Sequence, residues 1–240
     1  MRLLLISNST NAGEEYLKYP IGDIAEFLSC ANEVLFIPYA AVTFSYDEYA
    51  AKVQRRFDEI DIRVRSIHRE ADPVRAVMEA EAVVMKTAKN RDRIVKLIKK
   101  MQEQRLLGPL HERIMDGLPY VGWSAGSNVA CPTIRTTNDM PIVEPESFRA
   151  IGAVGFQINP HYLDANPAGH AGETREQRIE EFIAANPGVY VAGLREGCML
   201  HVEGNGMTLK GPRPMRVFRF GEAPREIEPG ADLSFLMEKA

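Results

Sequence analysis

A chain of 240 residues, 45% hydrophobic and 26% charged, can bury one sizeable α/β core, which excludes the disordered and fibrous classes. The net charge of −4 supplies no overall pull toward nucleic acid or anionic membranes, so neither is expected as a partner. Cys30, Cys131 and Cys198 show no CxxC spacing, and His68, His111, His161, His170 and His201 show no HExxH pairing, so no metal or other cofactor is expected.

The apolar run Leu3–Ile6 is too short for a signal peptide, and no stretch approaches a membrane span; a cytoplasmic location is therefore expected. The same run reads as a buried strand that empties into the polar loop Ser7–Asn11. A helix around 20–30 precedes a second buried strand over Val34–Ile37, closed by Pro38. A helix over Asp47–Phe57 follows, then a strand over Ile62–Ile67 in which Ile62 and Val64 alternate with Arg63 and Arg65. Asp72 opens a helix with Pro73 at its first position, and Ala82–Met85 reads as another core strand. Ile94, Leu97, Ile98 and Met101 have the spacing of one buried helix face, and 104–116 is helical. Beyond about residue 186 the short runs Val189–Leu194, Cys198–Glu203, Met207–Leu209 and Met215–Phe220 read as hairpins closing one sheet edge. This alternation predicts a three-layer, doubly wound, mostly parallel α/β sheet with C-terminal antiparallel strands, all of residues 1–240 forming one domain. The polar loops at 7–12, 38–46 and 86–90, together with residue 124, are expected to converge on one cleft beyond the strand ends.

The segment from Pro119 to Ala130 combines strand formers (Tyr120, Val121), the G-x-S-x-G run Gly122-Trp123-Ser124-Ala125-Gly126, and a helix-compatible Ser127–Ala130 stopped by Pro132. Strand, tight turn and helix make a nucleophile elbow: the turn lifts the Ser124 hydroxyl above the sheet and aims the Ala125 N–H at the same space, as an oxyanion donor. Gly126 leaves room for the chain to fold back, and Gly122 permits backbone to pack on backbone. A serine needs a base, and the base a partner that fixes its tautomer. His161, just after the strand-like run at 156–160 in a Pro-fixed turn, is the candidate base, and Asp139, in the polar loop 135–141, the candidate acid. Ser124 and Asp139 lie too close in sequence for a generic lipase or esterase, whose acid follows a later strand. Thr174 and Gln177 form a capping box for a helix with Ile179, Phe182 and Ile183 on its core face. Arg175 then falls in the first helical turn, where the dipole disfavours a cation; it is either a solvated arginine paired with a glutamate or a holder of carboxylates.

The run Gly122–Asn128, the run Cys131–Val143, Gln157–His161 and Gly172–Ile179, with Leu3–Thr10 and Phe36–Pro38, closely resemble the peptidase E family of α-aspartyl dipeptidases over nearly the whole chain. The resemblance implies a class I glutamine amidotransferase-like fold with a serine elbow, acting on small peptides with an N-terminal aspartate (Asp-X); the sequence itself is compatible with a monomer or a homodimer. It implies Ser124 as nucleophile, His161 as base, Asp139 as acid, and Glu196 as a second carboxylate matching a position that orients the histidine. It gives Arg175 the side chain of the substrate aspartate.

One stretch departs from the family pattern. Where the family has a Gly-Gly-x-Asn type loop after the strand, this chain reads Met85-Lys86-Thr87-Ala88-Lys89-Asn90-Arg91-Asp92-Arg93, without glycine. A loop without glycine resists close backbone approach, so a second oxyanion donor is in question. The alternative reading is therefore a catalytically impaired binding protein on the same scaffold, and a third is a related serine hydrolase acting on β-aspartyl or polymeric aspartate substrates.

Overall fold

The computed structural model describes residues 1–86, 94–166, 169 and 172–237. Five strands form the parallel part of the main sheet: β1 (Arg2–Ile6), β2 (Glu33–Ile37), β3 (Arg63–Ser66), β4 (Val83–Lys86) and β5 (Pro119–Trp123). They are ordered β3-β2-β4-β5-β1 and are extended antiparallel by β8 (Met199–Glu203) and β9 (Gly206–Lys210) beyond β1. Continuous apolar runs suit these strands because both faces are covered. Along β1, Leu3 and Leu5 enter one core with Leu35, Ile37, Val83 and Met85, while Leu4 and Ile6 enter the other with Val34, Phe36, Val84 and Val121.

Helices α1 (Ile21–Phe27) and α2 (Tyr46–Phe57) cover the second of these faces through Ile24, Phe27, Tyr49, Val53 and Phe57. The first face is covered by α3 (Pro73–Glu79), α4 (Ile94–Glu103), α5 (Leu107–Met115) and α6 (Ala125–Val129). Ile94, Leu97, Ile98 and Met101 are all buried in that core, as their spacing predicts. Local signals start the helices where expected. Ser45 and Glu48 close a capping box on α2, and Asp72 Oδ1 accepts the Arg75 N–H at 3.0 Å at the start of α3. The helical stretch predicted over 104–116 is cut instead at Arg105, which takes a left-handed conformation at φ 55° and separates α4 from α5.

The C-terminal strands divide between two sheets instead of closing one edge. Only β8 and β9 join the main sheet. The others form a four-stranded sheet, ordered β11-β10-β7-β6, from β6 (Gln157–Tyr162), β7 (Val191–Arg195), β10 (Met215–Phe218) and β11 (Arg225–Ile227). Ile158, Ala192, Leu194, Met215 and Val217 pack from this second sheet into the first core. Its other face carries α7 (Arg175–Ala185), whose Ile179 and Ile183 meet Tyr162, Val191 and Phe218. Short runs interrupted by Gly and Pro do not reveal which sheet each strand joins; register does, and register is a tertiary property.

The elbow is the tightest junction of the main sheet. A Cβ on Gly122 would lie 2.6 Å from the Gly126 carbonyl carbon, and one on Gly126 would strike the Met85 carbonyl oxygen at the end of β4. Gly126→Ala should therefore cost well over about 1 kcal/mol, because the obstacle is backbone and cannot rotate away. Urea unfolding of Gly126→Ala beside Gly108→Ala, whose Cβ would meet open space, checks this; equal midpoints would refute it.

Candidate active site

Ser124 stands between the C-terminal end of β5 and the first turn of α6, with φ 57° and ψ −116°. This is a strained region for a side chain, and such strain persists only where the surroundings enforce it. Here they do. The Ser124 N–H donates to the Ile6 carbonyl at 2.9 Å, and the Ser127 hydroxyl reaches the Ile6 carbonyl at 2.7 Å and Gly122 at 2.8 Å. Tyr120 Oη donates to the Gly126 carbonyl at 2.7 Å from the fully buried interior. Ala125 is the first residue of α6, so its N–H belongs to the group of amides that a helix start leaves without an intrahelical partner.

The Ser124 hydroxyl lies 2.8 Å from His161 Nε2, and His161 Nδ1 lies 2.7 Å from Glu196 Oε1. Sequence reasoning puts His161 in a turn after a strand; it lies within β6, at a bulge. Pro160 pairs with Leu194 and Tyr162 with Arg195, which leaves His161 between two pairs with φ 54°. A bulge re-aims one side chain out of the alternation of the strand. Glu196 follows directly on β7, the parallel neighbour of β6, so base and carboxylate project from adjacent strand ends.

Asp139 takes a different place from the one expected for the acid. Its Oδ2 accepts the N–H of Ile94, the first residue of α4, at 2.9 Å, and its own N–H bonds Thr137 Oγ1 at 3.1 Å. The carboxylate at His161 Nδ1 is Glu196, the second candidate and not the first. The reason is topological: the 133–139 segment runs alongside β6, where its polar groups serve the backbone. Asn138 Nδ2 donates to the Pro160 carbonyl at 3.0 Å, Asn159 Nδ2 to the Thr136 carbonyl at 2.9 Å, and Asn128 Nδ2 to the Ile158 carbonyl at 2.6 Å. Cys131 joins them by accepting the Ile158 N–H at 3.2 Å, and burial pushes its thiol up to about 12, so this sulfur acts as a core acceptor.

Arg175 is the first residue of α7, behind the Thr174–Gln177 capping box that the sequence predicts. Among the described residues its partly buried guanidinium has no hydrogen bond or ion pair. Burial, then the nearby Arg178, holds it below its ordinary value, while the Asp139 carboxylate acts in the other direction. A guanidinium stays charged regardless, so this is a desolvated cation facing the Asp139 side of the site. Of the loops expected at the cleft, Ser7 and Asn8 do reach the site: Ser7 Oγ accepts the His161 N–H at 3.0 Å, and Asn8 Oδ1 accepts the Gly197 N–H at 2.8 Å. The glycine-free stretch behind the impaired-enzyme alternative falls outside the described residues from 87 to 93.

An ion network that sequence reasoning misses begins at Arg195, the residue before Glu196. Arg195, buried, holds Asp164 through Nε at 3.0 Å and Glu226 through Nη1 at 2.8 Å, and donates to the Pro214 carbonyl at 2.7 Å. Arg216 extends it to Glu226 and Glu176. Hydrogen bonds from Arg195 hold the Asp164 and Glu226 carboxyls below their ordinary values. Among the described residues no group of three or more His, Cys, Asp or Glu is arranged to hold a metal, and no helix is long and apolar enough to cross a membrane.

Comparison with known proteins gives a consistent picture. The profile of Peptidase family S51 matches residues 3–210. A protein named Peptidase E from Nostoc sp. (strain PCC 7120) is 47% identical over 240 residues, spanning 100% of this chain and 98% of its own. Another of that name from Streptomyces coelicolor is 45% identical, spanning 99% of this chain and 96% of its own. The crystal structure of a peptidase from an acI-B1 Actinobacterium superposes with a TM-score of 0.69 at 15% identity, covering 98% of this chain and 96% of that one. At that identity the likeness speaks for the fold alone, which is the class I glutamine amidotransferase-like α/β arrangement predicted.

Two outcomes follow from these contacts. Glu196→Gln should lower kcat on a cleaved substrate by about 10²–10⁴ with little change in KM, since the imidazole loses the group that fixes its tautomer. Asp139→Ala should cost about 1 kcal/mol in urea unfolding as α4 loses its cap; an unchanged kcat in the first or an unchanged midpoint in the second would refute the assignment. Because Asp164 and Glu226 have folded pKa values below their unfolded ones, their contribution is whole above the ordinary carboxylate range and is lost as pH falls through it. The melting temperature should hold from pH 7 to about 5 and drop below about pH 4, less steeply in Glu226→Gln than in the parent.

Proposed function

The chain belongs to peptidase family S51, and from that premise we propose that it is a serine dipeptidase cleaving dipeptides whose first residue is aspartate. The observation that carries the reading is the relay from Ser124 Oγ to His161 Nε2 at 2.8 Å and from His161 Nδ1 to Glu196 Oε1 at 2.7 Å. Nucleophile, base and orienting carboxylate stand within hydrogen-bond reach in the order acyl transfer requires.

His161 takes the Ser124 proton as Oγ attacks the peptide carbonyl, and Glu196 stabilises the imidazolium that forms. The Ala125 N–H, at the positive end of α6, receives the oxyanion; losing one such donor typically costs ~2.7–4 kcal/mol. His161 returns its proton to the leaving amine, and water, activated by the same imidazole, frees the acyl group. The substrate is a small peptide, and no step calls for a cofactor.

Specificity is assigned to Arg175. A desolvated cation at a helix start, where the dipole works against it by ~0.3–1 kcal/mol, is costly unless a ligand anion completes it. The aspartyl side chain is such an anion, and the relatives named Peptidase E support the same class of activity. The purified protein should cleave Asp-Leu and leave Leu-Leu intact; equal rates on both, or cleavage of neither, would overturn the specificity. Arg175→Ala should lose about 10- to 150-fold in kcat/KM on Asp-Leu, the worth of a charged hydrogen bond of ~1.5–3 kcal/mol.

A further inference from the structure

The nucleophile hangs from the main sheet, whereas His161 and Glu196 hang from the second, so the reacting distance depends on whatever joins the two sheets. The joint is the end of β1. Ile6 accepts the Ser124 N–H through its carbonyl at 2.9 Å. Ser7, the next residue, donates from Oγ to the Leu194 carbonyl at 2.7 Å and accepts the His161 N–H at 3.0 Å. Its own N–H bonds the Cys198 carbonyl at 3.0 Å. Asn8, one further, accepts the Gly197 N–H through Oδ1 at 2.8 Å, and Tyr19 Oη sits 2.7 Å from both its oxygens. Three consecutive residues thus hold the nucleophile, the base and the turn after the carboxylate.

We propose that Ser7 is a positioning residue of the relay, its hydroxyl setting where His161 stands relative to Ser124; this rests on the serine-peptidase reading above. Three features converge on it. The bulge takes the His161 N–H out of register with β7, and the Ser7 hydroxyl accepts it. His161 holds φ 54°, a conformation that a histidine keeps only when its surroundings impose it. Ser7 is fully buried, as are the main-chain groups it joins on Leu194 and Cys198, so no water replaces the hydroxyl if it is removed. Without it, the His161 N–H and Leu194 carbonyl must find other partners, and the cheapest relaxation moves the bulge, and with it the imidazole, relative to the elbow.

The test compares Ser7→Ala and Ser7→Cys with the parent. Ser7→Cys keeps the volume and a weaker donor and acceptor. The kcat on Asp-Leu should fall by about ten- to a hundredfold in Ser7→Ala, with KM within about twofold, and by less in Ser7→Cys. Rates are counted per site titrated by a serine-directed phosphonofluoridate, so a loss of folded protein alone does not register. The low-field proton resonance of the His161 Nδ1–H bonded to Glu196 should shift or broaden in Ser7→Ala. That signal is independent of turnover: if the parent leaves Asp-Leu uncut, the dipeptidase reading fails by itself and the resonance still decides the role of Ser7. A folded Ser7→Ala with parental kcat, or with an unmoved resonance, overturns the proposal. If Ser7→Ala does not fold, the same two outcomes are read on Ser7→Cys.

Discussion

Ser124 stands where it does because a strand, a helix and a neighbouring strand meet with no side chain between them. The Cα positions of Gly122 and Gly126 are the points of contact, one against the other and one against the Met85 carbonyl. Neither glycine has a positive φ; absence of a Cβ, not backbone freedom, is what the site requires of them. The strained φ of 57° falls on the serine itself, where it lifts the hydroxyl clear of the sheet. The buried hydrogen bonds of Tyr120 and Ser127 then lock the turn from beneath.

The remaining chemistry belongs to another layer. His161 and Glu196 arise from parallel, adjacent strands of the second sheet, so their mutual geometry is set by ordinary strand pairing, while their distance from Ser124 is set by how the two sheets abut. Arg195 stiffens the same strand ends by tying Asp164, beyond β6, to Glu226, on β11, beside the Glu196 carboxylate that meets His161 Nδ1. The pair itself is only partly covered, with His161 at 38% and Glu196 at 43% side-chain exposure, which leaves water a route to the imidazole.

Much of this was legible in the residues. The five parallel strands, the buried face of α4, the helix starts at Asp72 and Thr174, and the elbow follow from local periodicity and turn chemistry, which act within a few residues. The exchange of Asp139 for Glu196 was not legible in the same way. Both are carboxylates in polar loops, and only the pairing of β6 with β7 decides which one meets Nδ1. The second sheet escaped for the same reason: Val191–Arg195 and Met199–Glu203 look alike as strands, yet Gly197 between them turns the chain from one sheet to the other. Ser7 was visible as a polar residue after a strand, but not as the acceptor of a histidine 154 residues away.

The far edge of the main sheet carries its own consequence. β3 is only four residues long, and it alternates Arg63 and Arg65 with Val64 and Ser66. Both guanidiniums reach back to Glu33 on β2, at 2.7 and 2.8 Å, and Arg65 also reaches Glu70. An open strand edge is a template for adding another strand, and short, charged edges are how sheet proteins stay apart. Strand-to-strand growth of this sheet would have to carry an extended segment past two cations, so the β3 edge is guarded by charge.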